Sequence, residues 1–375
     1  MGGQERVALR TAQILKNDYN ITLLAFEKSE KEYQHDNLDI IYMNMPKITN
    51  KFNYLLRITT ILRKIHFIKR TKKEKKIDIS LSFGDFTNIY NSIAKVNEKC
   101  VTSIRGYESF YHNEAIAKKY HNKADITISV SKGIADKVEQ LYGLTKEKLK
   151  ILYNPFDIAE IASKSCEKVD DYDFIDTVTI VTVGRLAEIK GYEHLIRAFS
   201  IVKETIKNSK LLILGEGVCQ ERLDKMIKEL RLEDSITLLG HRENPYKYVA
   251  KSSLYVLSSE NEGFPNALVE GMCLVPVVSV DCKSGPREIL SDGDYKKTAK
   301  DVELADYGIL TPPVTKSRNY SGDAIETCDE KLAEAIIKIL TDNELYNHYK
   351  TKAQERAKHF SYEAYRENII NILEG

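Results

Sequence analysis

The chain predicts an α/β fold made of two doubly wound parallel-sheet domains, and three observations carry that expectation. Short apolar runs alternate with longer amphipathic stretches along its whole length, the pattern of strands in a parallel sheet covered by helices on both faces. At 375 residues it exceeds what one ordinary hydrophobic core organises. Between Asn154 and Thr177 the alternation stops in a polar, acid-rich stretch that contains Asp170, Asp171 and Asp173, and then it restarts. The expected first-half strands cover residues 21–26, 40–43, 77–82, 101–104, 126–130 and 150–152. Those of the second half cover 178–183, 210–214, 235–239, 254–257, 276–280 and 308–310. The expected organisation is therefore a first domain over 1–154, a linker over 155–176, a second domain over 177–358, and a final helix over 359–375 that packs back on the first. One element is missing from the pattern. A doubly wound domain opens with an apolar strand feeding a glycine turn. Here Gly2-Gly3 stands at the very front with a helical stretch after it. The preferred reading is a start assigned too late in the gene; the other is a first sheet that lacks a central strand.

Bulk properties exclude several classes. A formal net charge of +1 gives no global case for nucleic-acid binding. The six cysteines have neither a CxxC nor a histidine-paired spacing, which argues for reduced thiols in a cytoplasmic protein and against a zinc centre. No apolar stretch approaches the roughly 18–20 residues that span a bilayer, and the front of the chain lacks a secretory signal pattern. Charge is nonetheless uneven. From Lys51 to Lys76 ten Lys or Arg face one acid, Glu74. The segment that opens at Asn53 and closes at Lys76 interleaves those cations with Leu55, Leu56, Ile58, Ile61, Leu62, Ile65 and Ile68. An amphipathic helix with a basic flank follows, which suits either core packing with a solvated face or an anionic membrane surface.

The chemistry concentrates at two strand ends. The strand over 178–183 runs into Gly184-Arg185, and Lys190-Gly191 closes the same loop. Ligands of doubly wound sheets bind outside the carboxyl ends of the strands. Two cations on one such loop suit a diphosphate, arginine through paired bonds and lysine as a point charge. The strand over 254–257 leads to Glu262-Gly263-Phe264-Pro265-Asn266-Ala267, with Glu270 on the helix beyond. Proline suits a first helical turn and asparagine caps free amides, so this turn is expected to present an anion seat. Carboxylates beside an anion seat repel phosphate, so Glu262 and Glu270 suit hydroxyl groups instead. A ligand with both phosphates and several hydroxyls, such as a nucleotide sugar, meets both requirements.

Taken together, Gly184-Arg185, Lys190-Gly191, Glu262 and Glu270 resemble the donor-binding half of the retaining glycosyltransferases of family 4, which have the GT-B fold. Leu214-Gly-Glu-Gly217, Leu239-Gly-His241 and Ser284-Gly-Pro-Arg-Glu-Ile289 match supporting stretches, and Gly2-Gly-Gln-Glu-Arg6 is similar to the family's glycine turn. The resemblance implies two Rossmann-like domains that face each other across a cleft, the first binding the acceptor and the second the donor. It implies that Arg185 and Lys190 neutralise the donor diphosphate, that Glu262 contacts the transferred sugar and that Glu270 bonds the ribose. Backbone amides from Gly263 through Ala267 would position sugar and phosphate, Gly3 would let backbone approach the phosphates, and Glu216 and His241 would flank the base. Arg105 stands where many relatives carry a histidine near the sugar, with Tyr107 and Glu108 beside it.

Also by resemblance, the reaction is transfer of a hexose or N-acetylhexosamine from a UDP-sugar, or a GDP-sugar, to a lipid-linked or surface glycan. Same-face attack, with a donor phosphate oxygen taking the acceptor's proton, requires neither a protein nucleophile nor a metal or other cofactor. Asp171-Tyr-Asp173 matches the DxD pattern of metal-dependent transferases but is read as surface acid. Sugar-nucleotide epimerases share the architecture, and a non-catalytic sugar-nucleotide-binding module is the remaining alternative. A lipid-linked acceptor places the enzyme on the inner face of the cell membrane through residues 53–76.

Overall fold

The computed structural model describes residues 3–26, 38–43, 54–106, 114–316 and 318–375. The chain divides into two compact units, one comprising Met1–Pro155 with Tyr362–Gly375 and the other Phe156–Ser361. Tyr107 and Glu108 lie outside the described residues, as do Met1 and Gly2, where the sequence expects a glycine turn.

In the first unit, α1 (Gly3–Leu15) precedes β1 (Thr22–Ala25) and β2 (Asp39–Tyr42), which pair in parallel. Then come α2 (Tyr54–Glu74), β3 (Ile79–Phe83), α3 (Asp85–Ile93), β4 (Lys99–Ile104), α4 (Glu114–Lys123), β5 (Ile126–Ser129), α5 (Lys132–Tyr142) and β6 (Leu149–Ile151). Strands β3-β4-β5-β6 form one parallel sheet in that order. Ser131 starts α5 by accepting from Ile134 N at 3.3 Å, and Gly143, at φ 66°, ends it in the left-handed conformation that glycine adopts without strain.

Helix α2 partly departs from the basic-flank expectation. Ile68, Thr71 and Lys72 point inward, and Lys72 Nζ donates to Glu98 Oε1 at 2.6 Å and to Asn91 O at 3.1 Å. Lys72 is therefore a buried, fully paired cation and leaves the solvent face. The stripe of Ile58, Ile61 and Leu62 does remain exposed, Leu62 at 59%. Side chains of residues 53–57 lie outside the described set. No helix among the described residues is long and apolar enough to cross a membrane.

The second unit contains α6 (Ile158–Ser165), β7 (Val178–Val183), α7 (Tyr192–Thr205), β8 (Ser209–Leu214), α8 (Gln220–Glu229), β9 (Ile236–Gly240), α9 (Tyr246–Lys251) and β10 (Leu254–Leu257). It continues with β11 (Asn261–Glu262), α10 (Asn266–Met272), β12 (Val277–Val280), β13 (Lys283–Ser284), α11 (Gly285–Leu290), β14 (Glu303–Leu304), β15 (Ile309–Thr311), α12 (Thr327–Thr341) and α13 (Asn343–Ala357). The seven-stranded sheet runs β14-β15-β12-β10-β7-β8-β9, with β14 alone antiparallel. Chain order thus runs outward from β7 in one direction and returns through β10 in the other, so the topological switch point lies between β7 and β10. The central strands are buried on both faces and read as continuous apolar runs, as parallel strands do.

The acid-rich stretch 155–176, expected as a linker, folds onto this second unit. Asp157 caps α6 by accepting from Glu160 N at 2.8 Å, and Asn244 Nδ2 donates to Lys164 O at 2.8 Å. Asp171 accepts from Tyr248 Oη at 2.7 Å and from Arg242 Nη2 at 2.9 Å, and Asp173 accepts from Ile175 N at 2.9 Å. Both acids of the DxD pattern are therefore engaged in holding this segment.

The last helix, α14 (Tyr362–Glu374), belongs to the first unit. Tyr365, Ile369 and Leu373 join Leu15, Val101 and Ile128 in one apolar cluster, and Thr11 Oγ1 meets Tyr365 Oη at 2.8 Å. Arg366 Nε donates to Asp18 at 2.8 Å, and Lys99 Nζ donates to Leu373 O at 2.9 Å, next to the helix C-terminus where a cation is favoured.

Between α7 and α12 lies a buried ionic network that spacing alone does not reveal. His194 Nδ1 is 2.6 Å from Asp329 Oδ1, and Arg197 Nε donates to Asp329 Oδ2 at 2.5 Å, all three side chains fully buried. Burial opposes charge on the imidazole, but the bonds to Asp329 and Cys328 outweigh it and hold the group up at about 10. His194, Cys328 and Asp329 have ligand-type atoms within 4.8 Å of one another. The guanidinium on Asp329 and a protonated imidazole make that cluster a cation-filled ion pair, hostile to a metal ion. A raised folded-state value means that the stabilisation is full below 6.5, the ordinary imidazole value, and disappears as pH rises toward about 10. Urea midpoints between pH 6.5 and 10 should therefore fall more steeply in the wild type than in His194→Gln. Equal slopes would contradict a charged His194.

Candidate functional site

The site assembles from the loops that leave β7 and β10, the two strands flanking the switch point. The β7 loop begins at Gly184 and runs through a single helical turn, Glu188–Lys190, to Gly191. It is clamped on one side by the loop after β8: Leu186 N donates to Glu216 O at 2.9 Å and Cys219 N to Leu186 O at 3.1 Å. A Cβ at Gly217 would lie 2.2 Å from Leu186 O, so only glycine permits this approach. On the other side Gly191, at φ 58°, would bring a Cβ within 2.4 Å of Ser258 O. There Ser258 Oγ donates to Lys190 O at 2.9 Å and Glu260 N to Ile189 O at 2.9 Å. Two loops that are about 70 residues apart in sequence are thereby stitched together, once backbone to backbone and once through the Ser258 hydroxyl.

The stitching brings Lys190 Nζ to 2.6 Å from Glu262 Oε1, with the two side chains 26% and 13% exposed. Ser259 Oγ donates to the same carboxylate oxygen at 2.8 Å. Glu262 is fixed from below by the two-residue strand β11, which pairs in parallel with β13. These short strands lack any periodicity and are invisible to sequence patterning. Hydrogen bonds to a charged group contribute about 1.5–3 kcal/mol each, enough to orient the carboxylate. An ammonium has three donors, so Lys190 can keep Glu262 and still reach an anion. Arg185 is exposed on the same loop and has no hydrogen bond or ion pair among the described residues. The site thus holds one cation paired with an acid and one cation free.

The other expected residues distribute as follows. Glu270 lies half-buried on α10 and accepts from Tyr246 Oη at 3.2 Å. Glu216 Oε1 accepts from His241 N at 3.3 Å, so the two meet through the histidine's backbone, and His241 is exposed. Gly263 O lies 3.5 Å from Ser284 Oγ. Phe264 is buried between Phe156 and Phe360, with ring centroids at 6.4 and 5.5 Å.

The helix start differs from the expectation. Pro265 occupies the capping position with extended backbone, Asn266 is the first helical residue with Ala267 after it, and no side chain caps the helix. Proline has no N–H and fixes φ, which suits it to the boundary itself, so the helix begins at Asn266, one residue earlier than an asparagine cap would place it. The helix is only seven residues long, so its dipole makes a weaker anion seat than the sequence suggests.

Gly3 and Arg105 belong to the first unit. Gly3 is the first residue of α1. Arg105 follows β4 and points into its own unit: Nη1 donates to Ser103 Oγ at 3.2 Å, Nη2 bonds Asn154 Oδ1, and the guanidinium lies 5.7 Å from the Phe83 ring centroid. Burial pulls it down to about 10, which leaves it charged at neutral pH. All six cysteines are free.

Residues 174–307 match the family model for glycosyl transferases group 1, and residues 1–160 match that for glycosyltransferase family 4. An uncharacterized glycosyltransferase of Methanocaldococcus jannaschii is 32% identical over 354 residues, covering 86% of each chain. The N-acetylgalactosamine-N,N'-diacetylbacillosaminyl-diphospho-undecaprenol 4-alpha-N-acetylgalactosaminyltransferase of Campylobacter jejuni is 29% identical, covering all of this chain and 96% of its own. Among solved structures, Anabaena HepE in complex with UDP and glucose superposes with a TM-score of 0.76 at 20% identity, over 100% of this chain and 96% of that one. That likeness agrees with the two-domain α/β fold class expected from the sequence. The chain belongs to the group 1, family 4 glycosyltransferases of the GT-B fold, and it is an enzyme of the hexosyltransferase kind.

Proposed function

We propose that this enzyme transfers a hexose or N-acetylhexosamine, with retention at the anomeric carbon, from a UDP-sugar to a lipid-linked or surface-polysaccharide glycan. The observation that carries the reading is the Lys190–Glu262 contact at the switch point, with the unpaired Arg185 on the same loop. On this reading Lys190 and Arg185 bind the diphosphate. They stabilise the charge that grows on it as the bond between the anomeric carbon and the phosphate oxygen breaks. Glu262, held by Ser259, accepts from sugar hydroxyls, and Glu270 accepts from the ribose. Glu216 and His241 border the base, and the backbone from Gly263 to Ala267 lines the sugar. The acceptor oxygen attacks the same face from which UDP leaves, and its proton passes to a phosphate oxygen of the departing UDP. No protein nucleophile and no metal enter this scheme. The C. jejuni relative acts, by its name, on a diphospho-undecaprenol-linked glycan, and HepE is in complex with UDP, which supports a UDP-sugar donor and a lipid-linked acceptor here.

The same proposal places the first unit on an anionic bilayer through α2. The exposed stripe of Ile58, Ile61 and Leu62 enters the interface, and Arg63, Lys69, Lys73 and Lys76 face the headgroups.

With a UDP-sugar panel and an undecaprenyl-diphosphate-linked acceptor, release of UDP should require acceptor, and NMR of the product should show the donor's anomeric configuration. Lys190→Ala and Glu262→Ala should each lower kcat/KM by about 100-fold or more, as the loss of a transition-state contact does. Inverted product, or near-native rates in either variant, would refute the assignment. In liposome flotation, binding to anionic vesicles should drop on moving from 50 mM to about 500 mM salt, because screening shortens the reach of the α2 cations. Flotation that ignores both salt and lipid charge would remove the membrane claim.

A further inference from the structure

We propose that Arg318, on the loop between β15 and α12, is a positioning residue that fixes Lys190 against Glu262. Its guanidinium ties both stitched loops together. Nη1 donates to Glu188 O at 3.1 Å, Nε lies 3.5 Å from Glu188 Oε2, and the same guanidinium forms an ion pair with the carboxylate of Glu260. Glu188 opens the helical turn that ends at Lys190, and Glu260 stands two residues before Glu262. Arg318 therefore holds the backbone of the turn that bears Lys190 and a side chain two residues before Glu262, and touches neither member of the pair itself.

The buried network between α7 and α12 holds the Arg318 loop on both sides: His194 Nε2 bonds Thr315 O at 3.0 Å, and Arg197 Nη1 donates to Asn319 O at 2.7 Å. Between these anchors the backbone of Arg318 turns through φ 51°, in the left-handed region, which directs the side chain toward the β7 and β10 loops. The Glu260 side chain is 2% exposed. Without the guanidinium its charge would be buried and unpaired, a condition that forces either protonation or displacement of the segment leading to Glu262. A planar fork with five donors spans one carbonyl and two carboxylates at once, whereas an ammonium cannot. Arg222 also reaches Glu188, at 2.8 Å, but that pair is more than 40% exposed on both sides and cannot replace the interior contact.

The inference rests on the reading that Lys190 grips the donor diphosphate, and a double-mutant cycle with UDP as the probe separates the two. UDP affinity is measured by calorimetry for wild type, Arg318→Ala, Lys190→Ala and the double variant, with melting temperatures alongside. Arg318→Ala should weaken UDP by about tenfold. In the Lys190→Ala background the same change should cost less than twofold, because the arginine acts through the lysine. Arg318→Lys should recover only a minor part of the loss. A loss of the same size in both backgrounds, or no loss in either, overturns the role of Arg318. Lys190→Ala binding UDP as tightly as wild type overturns the diphosphate reading and this inference with it. Should Arg318→Ala fail to fold, the cycle is run with Arg318→Lys under the same criterion of non-additivity.

Discussion

Lys190 and Glu262 meet because the sheet reverses its winding between β7 and β10. In a parallel sheet every strand delivers its carboxyl-end loop to the same edge, and successive crossovers wound in one direction run over the same face. At the reversal the chain leaves β7 and β10 toward opposite faces, which opens a crevice between the two strand-end loops. The chain places its glycines, serines and opposite charges there. Gly191 and Gly217 let backbones touch, Ser258 and Glu260 bond the facing strand-end backbone, and an ammonium then lies 2.6 Å from a carboxylate. A cation and an acid fixed together, with a second cation free beside them, suit a ligand that is anionic at one end and hydroxylated at the other.

What keeps that arrangement stiff lies behind it. The α7–α12 seam buries a histidine, an arginine and an aspartate whose bonds satisfy one another and two loop carbonyls. Buried ionic groups add little net stability compared with apolar packing, yet they tolerate only one geometry. Apolar packing from Leu195, Phe199, Leu332 and Ile336 supplies the cohesion around them. Stability and placement thus come from different interactions in the same seam. The first unit shows the same division: an apolar cluster secures α14, and Arg366, Tyr19 and Lys99 fix its register.

Much of this was legible in the residues. Every expected strand is present, and those over 178–183 and 254–257 match to the residue, because buried parallel strands are uninterrupted β-branched and leucine runs bounded by polar turns. The cation loop and the acidic turn were readable because strand-end position and charge type are both local. What stayed hidden depends on long-range contact. His194 and Asp329 are 135 residues apart, and neither has a neighbour that announces the pair. Lys72 reads as one more cation in a basic run, and only the placement of Glu98 and Asn91 shows it to be interior. The stretch 155–176 has a linker's composition, yet a capped helix and the Asp171 bonds fold it onto its unit. Strands β11 and β13, two residues each, exist only through their mutual pairing.

The most direct measurement is a crystal structure of the enzyme soaked with UDP. The account predicts diphosphate oxygens within hydrogen-bond distance of both Lys190 Nζ and the Arg185 guanidinium, with the ribose hydroxyls on Glu270. A nucleotide seated elsewhere, with Lys190 still wholly committed to Glu262 and Arg185 in solvent, would contradict it.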